Sequence, residues 1–127
     1  YVGRIKDMIK RSGENISAVE VEAVISLYPD VHLAAVIPVP HKLRGEEVKV
    51  VIQLNEGCDE GGFDYAAFKT FCLDSLATFK VPRYLEFIDE FDFTPSGKII
   101  KGNLKKDDPI SGCWDYQLDA TVCLEMQ

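Results

Sequence analysis

The alternation from Val48 to Leu54 constrains this chain most. Val48, Val50, Ile52 and Leu54 fall at every second place, separated by Lys49, Val51 and Gln53. Successive side chains of a strand point to opposite faces, so this segment predicts a strand with one drier face. Such a strand needs a sheet partner and a cover. Val31 to Val39, rich in Val, Ile and Ala and closed by Pro38 and Pro40, predicts one partner running into a loop over 41–45. Tyr84 to Ile88 predicts a third strand. Two helices supply the cover. Ser17-Ala18-Val19-Glu20 is a capping-box pattern in which Ser17 bonds the N3 amide while Glu20 reaches back. Behind it Val21, Val24, Ile25 and Tyr28 keep helical spacing until Pro29-Asp30 ends the helix near Tyr28. Asp64 caps a second helix from Tyr65 to about Leu76, burying Phe68, Phe71, Cys72 and Leu76.

Residues 1–16 alternate basic and apolar side chains with Gly3 and Gly13 as turn points, which predicts an extended ribbon. A short helix is predicted from Ile99 to about Lys105. Periodicity is lost over 107–127, where Trp114, Tyr116 and Leu118 form an edge strand, dock on the body or stay loose. The order predicts an α+β fold: a small three-stranded sheet with helices packed on it, plus an N-terminal two-stranded ribbon.

A chain of 127 residues fits one domain, able to bury roughly two-thirds of its unfolded surface. It opens at Tyr1 without an initiator Met and already in a structured pattern, so it is expected to be a piece of a longer polypeptide. No signal peptide is expected, and no apolar run comes near the ~20 residues of a membrane span. A net charge of −7 argues against nucleic acid as the main partner. The cations are unevenly spread, however: Arg4, Lys6, Lys10 and Arg11 crowd the start, and Lys98, Lys101, Lys105 and Lys106 follow a Pro-Ser-Gly turn. If the two groups meet, they make a local anion site on an acidic body. Cys58, Cys72, Cys113 and Cys123 lack Cys-x-x-Cys spacing or a nearby histidine pair, so neither zinc nor a disulfide framework is expected. Cys72 reads as a small buried hydrophobe, and a reducing cytoplasm is the expected compartment.

The segment Phe93-Thr94-Pro95-Ser96-Gly97-Lys98-Ile99-Ile100-Lys101-Gly102 presents a lysine on a tight turn. A Pro-Ser-Gly turn is expected to leave backbone N–H groups free and hold the cation clear of the body, suited to meeting a carboxylate and a phosphate together. Read alone, it is more readily an exposed, solvated lysine. A phosphate-loop reading of Ser-Gly-Lys fails, because the first glycine is absent and Ile99 replaces the hydroxyl residue that would hold magnesium.

Three patterns stand in order: Gly3-Arg4-Ile5-Lys6-Asp7-Met8-Ile9-Lys10 running on into Ser12-Gly13-Glu14-Asn15-Ile16-Ser17 and Glu20-Val21-Glu22; Phe79-Lys80-Val81-Pro82; and Ser96-Gly97-Lys98-Ile99. Together they resemble the C-terminal domain of the adenylate-forming acyl-CoA synthetases, over about residues 2 to 106, and look closest to the crotonobetaine/carnitine–CoA ligase-like members. The resemblance implies that 1–106 is the mobile lid of an ATP-dependent, AMP-forming acid–CoA ligase and 107–127 a tail of uncertain structure. It implies partners: an N-terminal adenylation domain of the same chain, a carnitine-like or other small carboxylic acid, ATP with Mg as substrate complex, and CoA, bound mainly with the N-terminal domain. The fragment alone is expected to be inactive and to hold no metal or tight cofactor. By position, Lys98 matches the adenylation lysine, with Ser96 and Gly97 as its supporting turn. Lys6 matches the hinge, Arg4 and Lys10 match nucleotide or interface contacts, and Gly13, Glu14 and Asn15 match the loop lining the CoA tunnel. The chain departs from the family where Phe91-Asp92-Phe93-Thr94 replaces Leu-Pro-Lys-Thr, and where Asn15 replaces Arg or Gln. Two other readings remain at this point: an adenylation domain that loads a carrier protein, and a non-catalytic module binding an anion or acidic partner.

Overall fold

The computed structural model describes residues 8–43, 45–104, 113–116 and 120–121. Arg4 and Lys6 lie outside the described residues, as does Leu118. The elements are β1 (Met8–Arg11), β2 (Glu14–Ser17), α1 (Ala18–Ile25), β3 (Val31–His41), β4 (Gly45–Leu54), α2 (Tyr65–Ser75), β5 (Tyr84–Phe87), β6 (Trp114–Asp115) and β7 (Ala120–Thr121). Short 3-10 turns occupy Glu60–Gly62, Thr78–Lys80 and Lys101–Leu104.

The α+β class is as expected, and the three predicted strands form its centre. β3 runs antiparallel to β4 over the whole of its length, from Val31↔Leu54 to His41↔Gly45. β5 lies parallel to β4, from Lys49↔Tyr84 to Ile52↔Phe87. A parallel neighbour needs a crossover, and α2 lies within it. The sheet is larger than predicted, with seven strands among the described residues. β1 and β2 form the predicted ribbon, but Arg11↔Gly45 bonds it into the sheet. The tail contributes β6, antiparallel to β5, and β7 beside it. Because β3 fills one edge of β4, β1 and β5 share the other edge, β1 at residue 45 and β5 from residue 49 onward.

Ser17 caps α1 as predicted, its Oγ accepting from the Glu20 amide at 3.3 Å. The reciprocal half of the box is absent: the Glu20 carboxylate pairs with Lys80 Nζ at 2.9 Å instead. The helix also ends three residues early. Ser26 Oγ donates to the Glu22 and Ala23 carbonyls, while Leu27 and Tyr28 amides bond Val24 and Ile25 carbonyls in i→i+3 fashion. Tyr28 keeps the apolar spacing in that tightened turn, its ring edge-on to Phe68 at 5.1 Å. Asp64 caps α2, accepting from the Ala67 amide at 3.0 Å. Phe68, Cys72 and Leu76 are buried as predicted, with Phe71 partly so. Burial pushes the Cys72 thiol up to about 12, as suits a small apolar filler.

The helices cover one face of β4, where Val48, Val50 and Ile52 pack with Ile9, Ile16, Val21, Ile25 and Leu85. The prediction of a single dry face is corrected by the other side, where Ala35, Ile37 and Val51 are covered by Phe91 and Leu104. The segment after β5 folds back across the sheet, so both faces of β4 are dry. Two charges go under with it: Glu47 is 1% exposed and Lys49 0%.

Candidate functional site

Lys98 stands at the end of a closed hairpin. The Gly97 amide donates to the Thr94 carbonyl at 2.9 Å and the Thr94 amide to the Lys98 carbonyl at 2.7 Å. Pro95 takes the second position of the turn, where its fixed φ is favourable. Ser96 does not have a positive φ, and Gly97 does, at +88°. This is a type I turn followed by a left-handed glycine, a combination native to three-residue hairpins. The N–H groups are not left free as predicted. The Lys98 amide donates to Thr94 Oγ1 at 3.1 Å, and that hydroxyl also bonds Ser96 Oγ at 3.0 Å. The Gly97 and Lys98 amides are therefore satisfied within the turn, and the Lys98 side chain on it is exposed.

The hairpin is bolted to the body on both sides. Phe93 bridges Ile99, and the Ile100 amide donates to the Asp92 carbonyl at 2.8 Å. These bonds hold Ile99 and Ile100 extended, so the predicted helix from Ile99 shrinks to the 3-10 turn at Lys101–Leu104. Phe91 and Leu104 pin the two flanks in the second core. Lys101 Nζ reaches Glu22 of α1 at 2.6 Å, and the same carboxylate accepts from the Val36 amide of β3 at 2.7 Å. One acid thus ties the hairpin, a helix and the edge strand together.

At the ribbon tip, Ser12 has φ 52° and Gly13 φ 84°. Two successive left-handed residues make the type I′ turn that matches strand twist. A Cβ on Gly13 would meet nothing within 4 Å, so the requirement there is conformational, not steric. Lys10, Gly13, Glu14 and Asn15 are all exposed around this tip, with Lys10 and Asn15 opposite one another. The Lys10 amide donates to Glu46 Oε1 at 2.8 Å.

Of the basic residues expected to pool, Arg4, Lys6, Lys105 and Lys106 lie outside the described residues. Arg11 Nε pairs with Glu47 at 2.6 Å, and Lys101 and Lys80 pair with Glu22 and Glu20. Acids of the body neutralise these three cations, while Lys10 on β1 and Lys98 after the Pro-Ser-Gly turn remain exposed. Sequence reasoning missed the acids. Glu47 and Lys49 interrupt a Val/Ile run at inward positions, which was the available signal: charges within a buried strand need partners. Those partners, Arg11, Arg83 and Glu86, come from segments far apart in sequence.

Among the described residues no group of three His, Cys, Asp or Glu side chains converges on a metal position. None of their helices is long and apolar enough to cross a membrane.

Comparison with known proteins agrees with this architecture. Crotonobetaine/carnitine–CoA ligase of Salmonella arizonae is 43% identical over 105 residues, 83% of this chain and 20% of that protein. The chain thus spans about one-fifth of the length of the curated relatives it matches. Among solved structures, a Mycobacterium tuberculosis fatty acyl CoA synthetase superposes with a TM-score of 0.74 at 30% identity, covering 85% of this chain and 21% of that one. ATP-bound MatB from Rhodopseudomonas palustris gives 0.74 at 31% identity, with the same coverage of 85% and 21%. Residues 20–98 match the family described as AMP-binding enzyme C-terminal domain. The chain belongs to that family, as a C-terminal domain of the AMP-forming acyl-CoA synthetase type.

Proposed function

We propose that residues 1–106 act as the swinging lid of an acid–CoA ligase that first joins a small carboxylic acid to AMP and then transfers the acyl group to CoA. In the first step a carboxylate oxygen attacks the α-phosphorus of ATP and pyrophosphate departs, carried with Mg as substrate complex. In the second the CoA thiol attacks the acyl carbonyl and AMP departs. Both steps crowd negative oxygens at one centre, where a positioned cation stabilises the charge that develops. The observation that carries the reading is the Lys98 hairpin: a rigid, internally bonded turn that holds a flexible ammonium in the open. A compact ammonium on a four-carbon stem can enter a site and leave again.

Lys6 is assigned as the hinge, Arg4 and Lys10 as nucleotide or interface contacts, and the Gly13-Glu14-Asn15 tip as the wall of the CoA channel. The tip is open enough for close backbone approach, since Gly13 has no side chain and no neighbour above it. A swinging lid needs a few junction residues that absorb the rotation. Lys6→Pro in the full-length enzyme is expected to freeze the lid in one pose, so that one half-reaction survives and the other is lost. Retention of both half-reactions would remove Lys6 from the hinge.

The acid is proposed to be carnitine-like or another small carboxylate, by likeness to the Salmonella ligases. Full-length enzyme supplied with ATP, Mg, a panel of such acids and either CoA or a phosphopantetheinyl carrier protein tests this directly. Acyl-CoA and AMP in equal amounts are expected. Acyl transfer to the carrier alone would make the protein a carrier-loading adenylation enzyme, and no AMP with any acid would contradict the ligase reading.

A further inference from the structure

A line of four charged side chains crosses the sheet from the ribbon to the C-terminal tail. Arg11 Nε of β1 meets Glu47 Oε1 of β4 at 2.6 Å, and the other oxygen of Glu47 lies 3.7 Å from Arg83 Nη1. Arg83 then grips Asp115 of β6 with two parallel bonds, Nε to Oδ1 at 3.0 Å and Nη2 to Oδ2 at 3.1 Å. His41 Nε2 joins at 3.3 Å from Arg83 Nη1. Both acids are out of water, Glu47 at 1% and Asp115 at 2% exposure. Burial alone would pull the Arg83 guanidinium down; its bond to Asp115 and the charges of Asp115 and Glu47 hold it above its ordinary value.

Two placements give this line a purpose. β1 meets the edge of β4 at residue 45 and β5 begins at residue 49, so Glu47 falls between the two pairings. Ile9 and Ile16 root the ribbon in the core, yet Arg11↔Gly45 is the one backbone pairing between ribbon and β4 among the described residues. Orientation near the tip therefore depends on side-chain bonds to β4, the Arg11–Glu47 pair and the Lys10 amide on Glu46. At the other end Asp115 is itself fixed. Trp114 stacks on Tyr65 of α2 at 4.0 Å and 8°, Tyr116 Oη donates to the Tyr65 carbonyl at 2.9 Å, and the Tyr116 amide donates to the Arg83 carbonyl at 2.9 Å. These tail residues lie beyond the stretch that matches the family, 20–98.

We infer that the tail strand β6 is a clamp, and that Asp115, acting through Arg83, Glu47 and Arg11, is a positioning residue for the Gly13 turn during thioester formation. The assignment of the step rests on the proposed CoA role of that turn; the clamp itself does not. Loss of the Asp115 charge loosens both of its bonds to Arg83, and Arg83 then competes with Arg11 for Glu47. The ribbon tip shifts, while the Lys98 hairpin, held by Thr94, Phe91 and Leu104, keeps its place.

The test uses full-length enzyme carrying Asp115→Asn, with Arg11→Gln as a second variant that leaves the Arg83–Asp115 bonds intact. Amide hydrogen exchange is read over residues 9–16 and over α2, beside two assays: acid-dependent ATP–pyrophosphate exchange, and thioester formation from pre-made acyl-adenylate over a range of CoA concentrations. Both variants are expected to speed exchange in the ribbon about tenfold with α2 unchanged, and to raise the apparent KM for CoA by about tenfold while adenylation stays within about twofold, as suits a displacement of an ångström or less. Ribbon exchange at the parental rate in a folded Asp115→Asn protein overturns the clamp, and faster ribbon exchange with equal loss of both half-reactions overturns its role in thioester formation. Faster ribbon exchange with unaltered CoA dependence upholds the clamp and overturns its role in thioester formation. A parent enzyme inactive in both assays would sink the ligase reading, with ribbon exchange still deciding the clamp.

Discussion

Lys98→Ala in the full-length enzyme is expected to cut acid-dependent ATP–pyrophosphate exchange by about 10²–10³-fold, the usual cost of removing one group that stabilises transition-state charge. Thioester formation from pre-made acyl-adenylate should stay within about tenfold of the parent, because the proposed swing of the lid carries Lys98 away from the reacting centre in that step. Stability should not change. The Lys98 side chain is exposed, and the turn beneath it is closed by Thr94 and Gly97 through bonds that alanine at 98 retains. A guanidinium is broader and less able to enter and leave a tight site, so Lys98→Arg should restore only part of the loss. Equal loss of both half-reactions, or full activity with arginine, would reduce Lys98 to a general source of positive charge.

The second large effect concerns the fold. Lys49 has no solvent exposure, and its Nζ lies 2.6 Å from Glu86 Oε1. Cys113 Sγ, brought in by the tail, approaches the same carboxylate oxygen at 3.8 Å. Removing the acid deprives a fully buried ammonium of a carboxylate oxygen 2.6 Å away, whereas removing the ammonium leaves an acid that still reaches water, at 24% side-chain exposure. Glu86→Ala is therefore expected to lower unfolding free energy by about 3 kcal/mol, the low end for a broken buried pair. Lys49→Met, which fills the same volume without charge, should cost less than about 1 kcal/mol or stabilise. Urea unfolding of the two variants beside the parent measures the asymmetry. Equal losses, or a larger loss for Lys49→Met, would mean that the pair is worth more than the desolvation it entails.

Local chemistry was legible where one segment decides the outcome. Ser17 and Asp64 start their helices as their types predict, and the Val48–Leu54 alternation makes a strand. Pro95, Ser96 and Gly97 make the tight turn, although Thr94, not open amide groups, turned out to be its organiser. Outcomes that depend on a distant segment were not legible. Glu20 leaves its own capping box for Lys80, sixty residues on, because an ion pair there also ties α1 to the turn before β5. The second face of β4 is dry only because residues 88–104 return across it, and no local period announces that return. For the same reason Trp114 and Tyr116 looked patternless: their partner is Tyr65, whose ring and carbonyl wait on α2. At the site, the Lys98 turn and the Gly13 turn could be read from their glycines, while Glu22, Glu47, Arg83 and Asp115, which hold the two turns on one frame, could not.

The central claim is that Lys98 enters the reacting centre when acid and nucleotide are joined. The most direct measurement is a crystal structure of the full-length enzyme trapped with a non-hydrolysable acyl-adenylate in the adenylation pose. The account predicts Lys98 Nζ within about 2.7–3.2 Å of an oxygen of the acyl phosphate linkage. An ordered lid in that same pose, with the Lys98 ammonium turned out into solvent, would contradict it.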